Sequence, residues 1–322
     1  MRFVLFSIIF ICFFPCLFAQ VPIKHIGITQ IVEHPSADQA RKGVLDGLSF
    51  AGYKDNQNLK VHYDNAQGSL ATAVQISKKY VGMDPKLDLI VAITTPSAQA
   101  MVAASKSANI PVVFAAVTDP LHAHLVKNLE KPGENITGAC DAPPIMEQLK
   151  LIKTILPMVK KVGVVYSAGE TNSCKMVQDF TTMAGVLKIQ VQESTVIKTT
   201  DVTSALQGLI GRVDCVYVPL DNTLLSAMEG FLKVAFANNI PVFTSDPNSV
   251  EQGALASLSR TQYDTGYLAG LMAAAVLGGE LVGNIPVAVP SKEYLVVNNK
   301  TAQKLKIQIP ASVLERADSI IE

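Results

Sequence analysis

The strongest constraint on the fold is an internal repeat within the 322 residues of the chain. The clearest repeated segment occurs twice and reads Asn-Ile-Pro-Val, then apolar or small residues, then Asp-Pro. Two further pairs of similar segments precede it in the same order, all spaced by roughly 130 residues, as expected of a duplicated unit. The repeat therefore predicts two lobes of similar architecture. The matched segments are 23–30 with 161–167, 88–95 with 214–223, and 109–120 with 239–247.

Within each copy, short apolar segments alternate with segments of helical character. Leu89–Ile93 is a run of apolar residues without alternation, which is typical of a strand buried on both faces of a parallel sheet. Thr95 then offers a helix N-cap, and Pro96 takes the first helical position, where its missing N–H costs nothing. The chain is therefore predicted to be an α/β protein whose lobes are parallel sheets with helices on both faces.

The C-terminal part does not begin a third copy, and it predicts a chain that crosses between the lobes more than once. We expect hinges near Gly138, Ser257 and Gly283. The predicted N-terminal lobe comprises residues 20–138 plus 257–283, and the predicted C-terminal lobe residues 139–256 plus 284–322.

Residues 1–19 have the features of a secretory signal peptide. An early arginine precedes an apolar core at 3–14, and 17–19 end in a small residue before the expected cleavage. Pro15 argues against lipid attachment at Cys16, and the whole stretch is short for a membrane-spanning helix. We therefore expect an exported, soluble protein with a periplasmic or other extracytoplasmic location.

Charge and motifs argue against several classes of function. The 27 basic residues are balanced by 27 acidic ones, without the basic excess that a nucleic-acid partner requires. The sequence contains no nucleophile elbow, phosphate-binding loop, dinucleotide-binding loop or zinc-protease motif. His122 and His124 form an H-x-H pair without a third ligand nearby, so we expect neither a metal nor a cofactor. The sequence thus favours a binding protein over an enzyme.

Three cysteines remain after the predicted cleavage, namely Cys140, Cys174 and Cys215. Their odd number and long spacings argue against a disulfide framework, although one bridge with a spare thiol stays open. Buried free thiols that behave as small hydrophobic residues are the simpler interpretation.

Polar residues cluster where the predicted strands end. In open α/β sheets, ligands bind outside the carboxyl ends of the strands, and helix N-termini there attract anions. Hydroxyl and backbone N–H groups suit a carboxylate, whereas aspartates suit an ammonium group, so these corners can hold a zwitterion. Each is also an ordinary turn or cap sequence, which keeps a purely structural role open. The corners are 94–97, 118–119, 167–173, 221–223 and 245–246.

The motifs at and near these corners resemble those of the extracytoplasmic substrate-binding proteins of ABC transporters. They are Thr-Thr-Pro-Ser-Ala-Gln at 94–99, Phe-Ala-Ala-Val-Thr-Asp-Pro at 114–120, Asn-Ile-Thr-Gly at 135–138, Asp-Asn-Thr at 221–223 and Gly-Ala-Leu-Ala-Ser at 253–257. Residues 297–310 are similar to the C-terminal signature of the branch that includes tryptophan- and tyrosine-type binders. The resemblance implies the type I periplasmic binding fold, in which two Rossmann-like lobes close on a ligand by a multi-crossover hinge.

The resemblance also implies a small amino-acid-like ligand, with an aromatic side chain as one option, and delivery to an ABC permease and its ATPase. Thr95, Ser97 and the first helical amides are expected to bind its carboxylate. The full set of candidate ligand-binding residues is Thr94, Thr95, Ser97, Asn172 and Ser173 around the carboxylate, Asp119, Asp141, Asp221 and Asp246 for the ammonium, Tyr166 for the ligand side chain, and Asn222 beside them.

Two segments depart from the family pattern and leave the identity of the ligand open. Residues 139–141 read Ala-Cys-Asp where Val-Ser-Asp is usual, and 258–260 read Leu-Ser-Arg where Tyr-Gly is frequent. Two other functions also stay open, namely an exported sensor that docks on a receptor and an exported enzyme that uses the same cleft. We expect a monomer in each case.

Overall fold

The computed structural model describes residues 23–106, 108–133 and 135–322. The predicted signal peptide at 1–19, including Cys16, lies outside these residues. Every helix in the described ranges is too short or too polar to cross a membrane.

Strands and helices alternate along the described chain. The strands are β1 Lys24–Gln30, β2 Leu59–Asn65, β3 Leu89–Ile93, β4 Val112–Val117, β5 Ile136–Cys140, β6 Lys161–Ser167, β7 Gln190–Val196, β8 Cys215–Val218, β9 Val242–Thr244, β10 Ala256–Ser259, β11 Tyr294–Asn298 and β12 Ser319–Ile321. The α-helices are α1 Pro35–Phe50, α2 Leu70–Val81, α3 Thr95–Ser105, α4 Ile145–Ile155, α5 Thr171–Val186, α6 Val202–Gln207, α7 Asn222–Leu225, α8 Met228–Ala237, α9 Pro247–Glu251, α10 Gln262–Leu277, α11 Asn299–Lys304 and α12 Ala311–Leu314. Short 3₁₀ turns occupy Thr199–Asp201 and Val282–Asn284.

The first lobe is built on a sheet in the order β2-β1-β3-β4-β5, with every pairing parallel. Alternate residues of a strand face opposite sides of a sheet, so each strand contributes to two layers of the core. Leu89, Val91 and Ile93 pack with residues of α1 and α10. Ile90 and Ala92 pack on the other face with residues of α2 and α3. All five are fully buried, which confirms the prediction of a strand covered on both faces.

The second lobe is built on a sheet in the order β12-β11-β10-β9-β8-β6-β7. Its pairings are parallel except for the antiparallel pair of β10 and β11. In its core, Phe180 of α5 stacks on Tyr217 of β8 with 4.1 Å between the ring centroids. The predicted α/β fold with two parallel-sheet lobes is therefore confirmed.

The chain passes between the lobes at three places in the described residues. β5 ends in the first sheet at Cys140, and α4 already packs in the second core. β10 lies in the second sheet up to Ser259, after which α10 returns to pack on α1. Beyond Ala288, which bridges to Ala139, the chain enters the second sheet again as β11. This connectivity forms the hinge region.

The predicted crossings lie a few residues too early. β5 and β10 continue their sheets up to the linkers that follow them, and the segment after the second 3₁₀ turn still packs on the first core. Residues 139–140 and 285–288 therefore go with the first lobe, and 257–259 with the second. This corrects the predicted positions at Gly138, Ser257 and Gly283.

Helices α1 and α10 approach so closely that only glycine fits at several positions of their crossing. A Cβ atom on Gly270 would overlap the Val44 carbonyl oxygen, and one on Gly43 would overlap the Tyr263 carbonyl oxygen. Backbone-to-backbone packing of this kind leaves no room for adjustment. Because α10 begins directly after the second crossing, this contact fixes one side of the hinge to the first lobe.

We predict that Gly270→Ala destabilises the protein by about 1–3 kcal/mol, because the added methyl group must push two helix backbones apart. Gly185→Ala near the end of α5 is the control, since a Cβ there meets nothing within 4 Å. The control should stabilise the protein by up to about 1 kcal/mol through helix propensity. Urea unfolding of both variants measures the difference, and equal effects would contradict the packing argument.

Candidate ligand-binding cavity between the lobes

A cavity lies between the lobes, where the carboxyl ends of the two sheets meet. The space between its walls amounts to about 330 Å³, which includes volume open to solvent. The first lobe contributes residues at or after the ends of β1, β3, β4 and β5, and the second lobe residues after β6 and β8. The lining residues are His34, Ser36, Ala37, Thr94, Thr95, Ala116, Thr118, Asp141, Asn172, Leu220, Asp221, Asn222, Leu225 and Gln262.

Turns with unusual backbone geometry form part of the first-lobe wall. Thr94, before α3, has a φ angle of 75°, and Ala116, near the end of β4, has a φ angle of 57°. Such angles in residues other than glycine cost roughly 1–3 kcal/mol and cluster at functional sites. The Thr94 N–H donates to the Ala115 carbonyl at 2.9 Å, so the neighbouring strand holds this turn in place.

A buried carboxylate organises the second-lobe wall. Glu170 Oε2 accepts hydrogen bonds from the backbone N–H of Asn222 at 3.1 Å and from Asn222 Nδ2 at 2.6 Å. Glu170 Oε1 accepts from the backbone N–H and the hydroxyl of Thr223, both at 2.9 Å. Because the Asn222 amide nitrogen is held by Glu170, its oxygen Oδ1 is directed toward the first lobe, where it meets His34.

Asp221 supports the same wall. Its Oδ1 accepts from the Leu224 N–H at 2.9 Å, and its Oδ2 accepts from the Ser167 N–H at 2.6 Å and from the Ser173 hydroxyl. Burial raises the pKa of the Asp221 carboxyl to about 8, and the nearby Glu170 carboxylate adds to the rise. Both oxygens are engaged by protein donors, so the main role of Asp221 is to hold the wall together.

Five buried side-chain atoms that line the cavity have no hydrogen-bond partner in the described part of the chain. Two are hydroxyl oxygens and three are acceptor oxygens of a carboxylate and two amides. Leaving a buried polar atom unpaired costs about 1–3 kcal/mol, so their convergence on one cavity indicates a ligand site. The atoms are Thr94 Oγ1, Thr95 Oγ1, Asp141 Oδ1, Asn172 Oδ1 and Gln262 Oε1.

The orientation of the three acceptors is set by their own partners. Gln262 Nε2 donates to Asp141 Oδ2 at 2.8 Å, which leaves the amide oxygen of Gln262 and the second oxygen of Asp141 free to face the cavity. Asn172 Nδ2 donates to the Leu220 carbonyl at 2.7 Å, which leaves Asn172 Oδ1 free in the same way. Asp141 and Gln262 stand beside the first and second crossings, so the site includes part of the hinge.

Hydrogen bonds join the lobes around the cavity. All are long for their type, and each is therefore weak enough to break when the lobes separate. They connect His34 with Asn222 at 3.3 Å, Ser36 with Asn248 at 3.4 Å, and Gln99 with Thr171 at 3.5 Å.

Burial changes the pKa of two groups that line the cavity. It lowers the pKa of the His34 imidazole, against the hydrogen bond with Asn222 and the charge of Asp246, which both raise it. It raises the pKa of the Asp141 carboxyl, against the hydrogen bond from Gln262. Burial thus favours the neutral forms of the His34 imidazole and the Asp141 carboxyl, and a bound cation would favour the ionised form of Asp141.

The structure brings about half of the predicted site residues to the cavity. Those that line it are Thr94, Thr95, Asp141, Asn172, Asp221 and Asn222. Three further predicted residues are buried but do not line the cavity, namely Ser97, Ser173 and Asp246. Ser173 donates to Asp221, and Asp246 caps α9 by accepting from the Ser249 N–H at 3.0 Å.

Two predicted residues are corrected. Asp119 lies outside the cavity, where its Oδ1 accepts from the N–H groups of Leu121 and His122 at 3.1 and 2.9 Å and caps a turn. Tyr166 lies in a separate surface groove and donates from its hydroxyl to Glu193 Oε2 at 2.8 Å. In both cases a local hydrogen bond accounts for the residue without a ligand.

Sequence reasoning missed other residues of the site. His34 and Ser36 follow β1 directly, so the rule of polar residues at strand ends also applies to them. Glu170 lies within a recognised corner, but its role in holding Asn222 depends on contact with the segment after β8. Gln262 reaches the cavity only because α10 starts beside the second crossing, which no local pattern indicates.

The cysteines and the H-x-H pair lie outside the lining of the cavity. Cys140, Cys174 and Cys215 are free thiols, so the alternative with one disulfide is not realised among the described residues. The rings of His122 and His124 stack with 6.5 Å between centroids. Across the described ranges, no group of three His, Cys, Asp or Glu side chains is placed to hold a metal ion.

The fold agrees with the comparison to known families. The model of the ABC transporter substrate binding protein family matches residues 25–321, and the chain therefore belongs to this family. The tyrosine-binding protein of Clostridioides difficile (strain R20291) is 42% identical over 285 residues, which cover 88% of this chain and 81% of that protein.

Two solved structures of relatives match this chain to different degrees. The ABC domain from Streptococcus pneumonia in complex with L-Trp is 39% identical and has a TM-score of 0.89. The match covers 93% of this chain and 100% of that domain. The ligand-free, open structure of a substrate-binding protein with adhesive properties from Clostridium difficile is 37% identical, with a TM-score of 0.69 and coverages of 93% and 99%. The identities are nearly equal, yet the present structure superposes better on the L-Trp complex than on the ligand-free, open structure.

We predict that the free energy of unfolding of the wild type, relative to that of Asp221→Asn, falls as pH rises from about 4 to about 8. The folded-state pKa of Asp221 lies above that of the unfolded chain. The stability due to this group is therefore complete at acid pH and lost as pH rises through the folded-state pKa. Asn does not titrate, so the variant lacks this pH-dependent contribution to the free energy of unfolding.

Urea unfolding of both proteins across this pH range measures the effect. A difference in the free energy of unfolding that stays constant with pH would show that Asp221 does not titrate between these values.

Proposed function

We propose that this chain binds an aromatic L-amino acid in the interlobe cavity and delivers it to an ABC permease. The observation that carries the proposal is the set of five unpaired buried atoms among the described lining residues. An amino-acid zwitterion offers three N–H donors on its ammonium group and two acceptor oxygens on its carboxylate. Three acceptors and two hydroxyl donors match this inventory in number and kind.

The ammonium group of the ligand binds Asp141 Oδ1, Asn172 Oδ1 and Gln262 Oε1. Asp141 supplies the opposite charge, and a charge-assisted hydrogen bond in a buried site is stronger than a neutral one. Asn172 belongs to the second lobe, whereas Asp141 and Gln262 belong to the first lobe and the hinge. A single ammonium group therefore connects both lobes and stabilises the closed arrangement.

The carboxylate of the ligand binds the hydroxyl groups of Thr94 and Thr95. Both residues stand at the start of α3, where the helix dipole also favours a negative charge. Thr95 is almost completely buried, so this carboxylate exchanges water for protein donors.

The aromatic character of the ligand is supported by the apolar part of the wall and by the relatives. Ala37, Leu220 and Leu225 line the cavity. The named tyrosine-binding protein and the L-Trp complex are 42% and 39% identical to this chain, which favours a ligand of the same class.

The same proposal includes export and transport. The predicted signal at 1–19 directs the protein outside the cytoplasm, where it acts as a monomer. Closure around the amino acid joins the rims of the two lobes into one surface, which the permease and its ATPase recognise. Opening at the hinge then releases the ligand.

We predict that L-tyrosine, L-tryptophan or L-phenylalanine raises the thermal unfolding temperature of the ligand-stripped protein. A ligand at one hundred times its dissociation constant adds about 2.7 kcal/mol to the free energy of unfolding. D-Amino acids, sugars and nucleosides serve as controls. A shift with sugars or nucleosides and with no amino acid would contradict the proposal.

We predict that Asp141→Asn weakens amino-acid binding by roughly 30-fold or more, because it removes the only carboxylate among the proposed ammonium ligands. Asp119→Ala is the matched control, since Asp119 caps a turn outside the cavity and should leave the affinity within about twofold. Isothermal titration calorimetry gives both affinities. A larger loss in Asp119→Ala than in Asp141→Asn would reverse the assignment.

A further inference from the structure

His34 and Asn222 form a polar pair at one end of the cavity. In the first sheet, β1 is separated from β5 by β3 and β4, which corresponds to roughly 14 Å at the usual strand spacing. His34 follows β1, whereas Asp141 follows β5. An amino acid whose ammonium group lies at Asp141 therefore extends its side chain toward His34 and Asn222.

The hydrogen-bonding direction of each member of the pair is fixed by the protein. The Ala37 N–H donates to His34 Nδ1 at 3.3 Å, which places the imidazole proton on Nε2. Asn222 Nδ2 donates to Glu170 at 2.6 Å, which leaves Asn222 Oδ1 as the acceptor that meets His34. The cavity end thus presents one donor, the Nε2–H of His34, and one acceptor, Oδ1 of Asn222.

The contact between His34 and Asn222 leaves room for a hydrogen bond with a third group. His34 Nε2 and Asn222 Oδ1 are 3.3 Å apart. This distance is longer than the roughly 2.9–3.0 Å of a usual N–H···O hydrogen bond. The amide oxygen of Asn222 also has a second lone pair. Both side chains are over 90% buried, with relative exposures of 6% and 7%, so a ligand group that binds them is removed from water.

We propose that His34 and Asn222 recognise the phenolic hydroxyl of tyrosine and make the protein prefer tyrosine over phenylalanine. This inference rests on the proposed function. A phenol both donates and accepts a hydrogen bond, so it satisfies Asn222 Oδ1 and the His34 Nε2–H together. An indole N–H can use only the acceptor, and a phenyl ring can use neither. His34 is the residue that determines this specificity, and Glu170 acts through Asn222 as a positioning residue.

The test compares the dissociation constants of L-tyrosine and L-phenylalanine by isothermal titration calorimetry. The wild type should bind tyrosine about tenfold or more tighter than phenylalanine. His34→Asn keeps an acceptor near the position of Nδ1 for the Ala37 N–H but has no group at the position of Nε2. The ratio of the two constants should therefore fall to within about twofold.

Two further variants make the result specific. His34→Gln places an amide N–H near the position of Nε2 and should retain a clear preference for tyrosine. His122→Asn makes the same substitution outside the cavity and should keep the wild-type ratio. Thermal unfolding of each variant confirms that it is folded before its ratio is interpreted.

The outcomes separate this inference from the proposed function. Equal affinity of the wild type for tyrosine and phenylalanine overturns the inference and supports the proposed function. A folded His34→Asn variant that keeps the wild-type ratio also overturns it. Failure of the wild type to bind any aromatic amino acid overturns the proposed function itself.

Discussion

The energetic cost of unpaired polar atoms at the lobe interface is the constraint on which this structure depends. Five oxygen atoms that line the cavity are buried and have no partner among the described residues. Each such atom costs about 1–3 kcal/mol, and the hydrogen bonds that join the lobes are long. A ligand that supplies the missing partners therefore favours closure in proportion to its match with these atoms. Selectivity and closure thus have the same physical origin.

The fold delivers these atoms by bringing strand ends from two sheets to one place. Parallel strands end at the same edge, so turns after β1, β3, β4 and β5 share one wall, and turns after β6 and β8 share the other. Asp141 and Gln262 lie beside two of the crossings, so the proposed ligand contacts would act directly on the hinge. The close packing of α1 and α10 holds Gln262, at the start of α10, to the first lobe.

The sequence predicts the fold better than the site, for a definite reason. A duplicated pattern of apolar strands and capped helices determines two α/β lobes, and strand-end polarity identifies Thr94, Thr95, Asn172 and Asp221. Asp119 has the same local signature, yet its carboxylate caps a turn, because capping and ligand binding use the same residue types. Gln262 has no local signature and reaches the site through the crossing. Which oxygen stays unpaired depends on contacts between distant segments.

The central claim is that buried acceptors at the hinge recognise the ammonium group of an amino acid. Calorimetric comparison of L-tyrosine with 3-(4-hydroxyphenyl)propanoate tests it most directly, because the two ligands differ only in that group. We predict that the analogue binds about 100-fold or more weakly, since Asp141, Asn172 and Gln262 would then remain unpaired. Affinities that agree within about twofold would contradict the account.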